Sequence, residues 1–292
     1  MKPAPFEYFA PDSIEEAISL LREHGGDAKL LAGGQSLVPA MNFRVVQPSA
    51  LIDLNRIREL DFVRQEGGCL SIGAMTRERT LEFEPVVKNW SPLLREAMPH
   101  VAHPQIRNRG TLGGSLANAD PAAELPVVML ALDARLKVRN IDGERWVDAR
   151  DFFSGMFTTA LESGDLLVEI ELPSQPDRTG WSFLEVAPRA GDYALMGVAS
   201  QVTLDESGKC RAAKLVFLNA GDGPVVARQA VARLHGEILT EKLVEETAVF
   251  ASQNEINPFG NIHASPDFQR HLAKVLTIRA IQQAFQRAGD VQ

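Results

Sequence analysis

Among 292 residues there are only two cysteines, Cys69 and Cys210, and they lie far apart in the chain. An iron–sulfur cluster held by four cysteine thiolates is therefore beyond this chain alone. Two lone thiols read as buried small hydrophobes in a reducing compartment sooner than as a disulfide. No stretch reaches the run of about 20 apolar residues that a membrane-spanning helix needs. Residues 1–13 show no apolar core followed by small residues, so no export signal is expected and the cytoplasm is the expected compartment. Positive charge is short as well. Lys and Arg number 30 against 38 Asp and Glu, and the formal net charge of -8 argues against a surface built for nucleic-acid backbones. Internal repeats and low-complexity runs are missing. The rest of the composition, 45% hydrophobic and 23% charged, is that of a globular chain long enough for two modest domains with separate cores.

Strand and helix signals alternate through the first half. Ser13 and Glu16 form a capping-box pattern, after which Ile14, Ala17, Ile18 and Leu21 fall on one helical face, and Gly25 and Gly26 stop the helix. Strands are expected at residues 28–32, 50–54, 70–74, 134–139 and 166–172, with a turn at Asp142 and Gly143 leading into another at 145–147. Ser91 and Pro92 open a helix ending near Met98. Asp120 and Pro121 start a second one, carrying the apolar residues 125–132. Prolines at 173 and 176 mark a domain boundary. Beyond it, residues 181–187, 194–204 and 211–219 read as three strands, with a turn at 205–208 between the last two. The remainder is helical. Its final helix is capped by Ser265 with Pro266 in first place, and Phe268, Leu272, Val275, Leu276, Ile278 and Phe285 form an apolar stripe for packing.

Two glycine-rich stretches carry the candidate chemistry: residues 31–37, with Gly33 and Gly34, and residues 111–120, with Gly113 and Gly114. A glycine pair after a strand lets backbone approach a ligand, and successive N–H groups there form a concave nest for phosphate. Gln35, Ser36, Thr111, Ser115 and Asn118 add neutral polar groups beside them. Neither stretch has the lysine of a P-loop, and neither continues as the G-x-G-x-x-G of a Rossmann fold. Tight turns between strands remain the plainer alternative for each pair taken singly.

The residues Ala32, Gly33, Gly34, Gln35 and Ser36 occur together with residues 105–124, which read Gln-Ile-Arg-Asn-Arg-Gly-Thr-Leu-Gly-Gly-Ser-Leu-Ala-Asn-Ala-Asp-Pro-Ala-Ala-Glu. This combination resembles the FAD-binding medium subunit of molybdenum hydroxylases, the group that includes carbon monoxide dehydrogenase and quinoline oxidoreductase. The flavin domain of xanthine dehydrogenase is a more distant relative. Residues 152–166 and 191–194 also fit that pattern, so the similarity runs through the whole chain in order. The resemblance implies an α+β protein. Residues 1–176 would form an FAD-binding domain of the vanillyl-alcohol oxidase type, with two α/β subdomains split near residue 55 and the dinucleotide between them. Residues 177–292 would form a C-terminal flavoprotein domain, a three-stranded antiparallel sheet carrying a helical bundle.

It also implies roles for residues. Lys29, Leu30, Leu31, Ala32, Gly33, Gly34, Gln35, Ser36 and Leu37 would hold the pyrophosphate and ribityl chain. Thr111, Gly113, Gly114 and Ser115 would complete that cradle from the other subdomain. Asn118 and Glu124 would lie at the adenosine end, with Asp120 a second carboxylate there or merely a helix cap. Ala102, Ile106, Gly110 and Ala117 would line the pocket, Leu161 would touch the adenine or a ring edge, and Tyr193 would cover the isoalloxazine. Ser115 stands where many members have asparagine, and Glu185 lies where several have a lysine near the flavin, which bears on redox tuning.

FAD is expected to be non-covalent, as in that family. His100 and His103 are three apart, but Pro99 and Pro104 flank them and no third ligand clusters nearby, so no metal is expected here. Molybdenum–pterin would sit in a large partner subunit and [2Fe–2S] clusters in a small one, and the assembly expected is a dimer of heterotrimers. The function implied is electron transfer, from partner clusters through FAD to an external acceptor. A self-sufficient FAD-dependent oxidase or dehydrogenase is the alternative, and an assembly module that has lost its cofactor is a rival of another class.

Overall fold

Ser13 opens the first helix, Ile14–His24, by accepting a hydrogen bond from Glu16 N at 3.2 Å, and Ile14, Ala17, Ile18 and Leu21 are buried along one face. The Glu16 carboxylate reaches Asp12 N at 3.0 Å, one residue beyond the return bond of a capping box. In the computed structural model, which describes residues 2–290, this helix shares a core with a three-stranded parallel sheet. Ala50–Asp53 lies at its centre, between Glu7–Phe9 and Ala28–Leu31. Its residues Ala50, Leu51 and Ile52 are buried, as a central parallel strand requires. Glu7–Phe9 carried no strand signal because it is three residues long and mostly exposed. These elements form the first lobe.

The second lobe is built on a five-stranded antiparallel sheet in the order Val63–Glu66, Cys69–Gly73, Leu166–Pro173, Arg135–Asn140, Gly143–Asp148. Val63–Glu66 escapes pattern reading because it is an exposed, polar edge strand. One alternative falls away here and one expectation needs correction. The second glycine-rich stretch is the start of a helix, Leu112–Asn118, with Thr111 as its N-cap, and not a turn between strands. The apolar helix begins at Glu124 (Glu124–Ala131), because Asp120 spends its carboxylate on Ala122 N at 2.9 Å and holds residues 120–123 in a turn.

The C-terminal sheet runs Thr179–Val186, Met196–Leu204, Cys210–Leu218, with a two-residue fourth strand, Val225–Val226, added at the edge. Every residue of the central strand Met196–Leu204 is buried, so both its faces are covered. On one side Phe183, Ala199, Val216 and Leu218 join the same core as Leu125, Val127 and Val128 of the second lobe. On the other, Val198, Val202 and Phe217 pack with Ala273, Leu276, Ala280 and Ile281 of the 25-residue helix Pro266–Asp290. Separate cores are thus not what the chain builds. The C-terminal sheet is a shared wall between the second lobe and the bundle.

The buried face of Pro266–Asp290 also differs from the apolar stripe. It consists of Gln269, Ala273, Leu276, Thr277, Ala280, Ile281, Ala284 and Ala288, whereas Phe268 is 45% exposed. Small residues win because the helix backbone lies almost on the sheet. A methyl group on Gly180 would sit 1.9 Å from Ala284 O and 2.4 Å from Ala288 N. Gly180→Ala is therefore expected to force the helix outward and to destabilise the chain by about 1–3 kcal/mol, seen as a lower urea midpoint. An unchanged midpoint would mean that the helix does not depend on this approach.

Candidate functional site

The strand Ala28–Leu31 runs into a loop that ends at the short helix Leu37–Asn42. Gly34 has φ 73, a left-handed conformation that glycine adopts without strain, and Gln35 Nε2 donates to Gly33 O at 3.0 Å. Gly34 O and Ser36 O accept from Val38 N and Ala40 N, so carbonyl groups of the loop are used by the helix that follows. Its donors are not. Among the described residues, the N–H groups of Gly33, Gly34, Gln35 and Ser36 have no acceptor within the chain. Four consecutive unpaired amides on a half-exposed loop are a ready site for an anion.

The second stretch is built differently. A helix N-terminus usually offers free N–H groups, but here they are already bonded. Leu112 N donates to Thr76 O, Gly113 N to Ala74 O at 2.8 Å, Gly114 N to Thr111 Oγ1 at 3.1 Å and Ser115 N to Thr111 O. Gly113 is buried, and a methyl on it would lie 2.6 Å from Ala74 Cβ. What this stretch brings is hydroxyl groups. Thr111 Oγ1 accepts from Gly114 and keeps its own hydrogen to donate. Ser115 and Asn118 are half-buried on the same helix, and Ala117 is exposed.

The two stretches meet at Gly33. A methyl there would lie 2.4 Å from Arg109 O and 2.8 Å from Gly110 Cα, and one on Gly114 would come within 3.3 Å of Ala32 Cβ. The cleft is thus bounded by backbone from each lobe. At its side, Ala102 adopts φ 43 in a turn that buried Arg107 fastens, donating to Val101 O at 2.8 Å and Ala102 O at 3.0 Å while paired with Glu82. Ile106 is half-buried in the next turn, Pro104–Arg107. Leu161 is half-buried against the second-lobe core, beyond a hairpin whose Phe157 N donates to Ala119 O at the end of the glycine helix. Lys29 is exposed on the strand leading into the first loop.

A group of acids lies beside the second stretch. Burial pushes the Glu124 carboxyl up to about 8, with help from the negative charges of Glu185, Glu78 and Asp120. Burial likewise takes Glu78 to about 7, against the pull of Arg107, and raises Asp120. Tyr193 is 72% exposed, yet partial desolvation and the charges of Asp120 and Glu124 raise its hydroxyl pKa. The charges of Asp120 and Glu124 are thus felt at Tyr193. The side chain of Glu185 is buried, with Oε1 3.8 Å from His100 Nδ1 and Oε2 without a partner among the described residues. Sequence reasoning missed Glu78, Arg107, Arg77 and Asn55. Arg107 lies within the long motif and could have been taken with it, but the other three stand in no local pattern.

The raised Glu124 pKa has a measurable consequence. The unfolded chain ionises this carboxyl near the usual 4.5 and the folded chain near 8, so stability falls as pH rises between those values. Glu124→Gln removes that penalty. Its melting temperature in the absence of FAD should match the parent near pH 5 and exceed it by a margin that grows up to about pH 8. A margin independent of pH would show that Glu124 is not held neutral.

Two family descriptions match the chain in succession: the FAD binding domain in molybdopterin dehydrogenase over residues 4–175, and the CO dehydrogenase flavoprotein C-terminal domain over residues 181–284. The chain is 41% identical to the 6-hydroxypseudooxynicotine dehydrogenase complex subunit alpha of Paenarthrobacter nicotinovorans, covering 99% of this chain and 97% of that one. It is 38% identical to the carbon monoxide dehydrogenase medium chain of Hydrogenophaga pseudoflava, covering 99% and 100%. Its fold superposes on the solved carbon monoxide dehydrogenase from Hydrogenophaga pseudoflava with a TM-score of 0.95 at 38% identity, over 98% of this chain and 99% of that one. For quinoline 2-oxidoreductase from Pseudomonas putida 86 the TM-score is 0.94 at 40% identity, over 99% of both chains. With both halves matched in order and the fold shared from end to end, the chain belongs to the FAD-binding flavoprotein subunits of the molybdenum hydroxylases.

Proposed function

We propose that this chain receives electrons from iron–sulfur clusters of a partner subunit and passes them, through FAD held in the cleft, to an external acceptor. The observation that carries the FAD site is the run of unpaired amides at Gly33, Gly34, Gln35 and Ser36, on a loop that packs closely against the second stretch. Bound there, FAD supplies an isoalloxazine that takes up and releases electrons.

The residues of the chain fit that ligand. Residues 29–37 would hold the pyrophosphate and ribityl chain, chiefly through the four free amides. Thr111 and Ser115 would add hydroxyl donors, Gly114 would let this stretch approach Ala32 of the first, and Gly110 and Gly113 would keep it packed closely on Glu78 and Ala74. Ala102, Ile106 and Ala117 would line the cleft, with Asn118 and Leu161 along its second-lobe side. Glu124, with Asp120, would act at the adenosine end, and Tyr193 would cover a face of the isoalloxazine. A Glu124 carboxyl that stays neutral near pH 7 can donate and accept hydrogen bonds without placing a further negative charge beside an anionic dinucleotide.

The partners proposed are a molybdenum–pterin large subunit and a [2Fe–2S] small subunit, assembled as a dimer of heterotrimers in the cytoplasm. Relatives that are a medium chain or a complex subunit support this, as does the scarcity of cysteine. No group of three or more His, Cys, Asp or Glu among the described residues is placed to hold a metal ion, and no helix among them is long and apolar enough to cross a membrane. We place the boundary between FAD-binding and C-terminal domains at residue 176, in the segment joining Leu166–Pro173 to Thr179–Val186.

The purified chain should carry one FAD, released into the supernatant on acid precipitation. Under anaerobic conditions dithionite should bleach it and an artificial dye should reoxidise it, while heteroaromatic or aldehyde substrates leave it yellow. Bleaching by an organic substrate without the partner subunits would replace this reading with that of a self-sufficient oxidase.

A further inference from the structure

The two glycine stretches come from different lobes, and one side chain outside both of them connects their backbones. Arg77 follows the strand Cys69–Gly73 in the second lobe, where its backbone forms an antiparallel bridge with Thr111. Glu78 N donates to Gly110 O and Leu112 N to Thr76 O, each at 3.0 Å, so Arg77 is fixed beside the second stretch. Its half-buried guanidinium then forks. Nη1 donates to Arg109 O, the carbonyl against which Gly33 rests, and Nη2 donates to Asn55 Oδ1 at 2.5 Å. Asn55 belongs to the first lobe, where its Nδ2 donates to Ala32 O at 2.9 Å. Asn55 is itself held, through its backbone N, by Asp53 Oδ1 at 2.9 Å, and Asp53 Oδ2 accepts from Tyr8 OH at 2.5 Å.

We infer that Arg77 is a positioning residue that sets the spacing between the two walls of the FAD cleft, acting through Asn55. The inference rests on the FAD reading but concerns residues which that reading leaves unused. The planar fork is what the job needs. One arm reaches the second-lobe carbonyl and the other the first-lobe amide, a span that the single ammonium of lysine does not reproduce. Four unpaired amides bind an anion well only if they already stand in the right place, because ordering a loop on binding subtracts from affinity. The Arg77–Asn55–Ala32 chain supplies that order before the ligand arrives.

The test uses the full chain with Arg77→Ala, Arg77→Lys, Asn55→Ala and the Arg77→Ala/Asn55→Ala double variant. Without FAD, hydrogen exchange read by mass spectrometry should speed up across residues 32–36 in Arg77→Ala, although residue 77 belongs to the other lobe. FAD affinity, followed by flavin fluorescence, should fall by about 10- to 100-fold, the loss expected for one charge-assisted hydrogen bond. Arg77→Lys should not restore it. Asn55→Ala should cost a similar factor and the double variant little more, as for two links of one chain. Unchanged exchange at residues 32–36 in Arg77→Ala overturns the inference even if FAD binding by the parent chain is normal. Multiplying losses in the double variant overturn it too. Failure of the parent chain to hold FAD would instead strike the proposed function, and the exchange result would still decide the role of Arg77.

Discussion

Gly33 rests its backbone on the carbonyl of Arg109 and the Cα of Gly110, and the organisation of the cleft depends on that contact. Any side chain at position 33 would fill the space between the lobes. Without one, the loop of the first lobe lies against the second, and its amides at residues 33–36 have no acceptor among the described residues. Unpaired N–H groups are costly when fully buried. Here the loop is half-exposed, so water serves until a better acceptor comes. The second stretch is complementary because it does not compete for that acceptor through its backbone. Its first-turn amides are tied to Thr76, Ala74 and Thr111, which makes it a rigid wall.

The C-terminal unit takes part in this arrangement through its sheet. Met196–Leu204 is covered on one face by the second lobe and on the other by the bundle, so the two domains share a wall. The loop carrying Tyr193 emerges from that sheet and is fastened at its base. Asn219 Nδ2 donates to Ala194 O at 2.7 Å, and buried Gln269, from the long helix, donates to Leu195 O at 2.9 Å. Gly191 rests on His103 and Ala102 O, so the loop is also seated on the cleft wall. Tyr193 is thus an exposed ring on a firmly held stem, suited to covering a flat ligand face without closing it off.

Much of this was legible in the sequence, and the failures have physical causes. The capped helix Ile14–His24, the strands with strong apolar pattern in the three larger sheets, and the strand-then-helix order of the C-terminal half follow from local periodicity. Glu7–Phe9 and Val63–Glu66 were invisible because short, exposed edge strands carry little apolar signal. The buried face of Pro266–Asp290 was misread because close helix–sheet contact selects alanines over the larger residues that hydropathy favours. At the site, the glycines announced themselves, but their division of labour did not. Free amides in one stretch and spent amides in the other depend on partners such as Ala74 and Thr76, brought close only by folding. Arg77 and Asn55 are 22 residues apart and belong to different lobes, so no sequence window contains their link.

The central claim is that the anion is gripped by the first stretch and merely accommodated by the second. The most direct measurement is an amide-resolved NMR titration of the isotope-labelled chain with FAD. The account predicts large downfield shifts for the amide protons of Gly33, Gly34, Gln35 and Ser36, with Gly113 and Gly114 nearly unmoved because their hydrogen bonds do not change. Large shifts at Gly113 and Gly114 with residues 33–36 unmoved would contradict it.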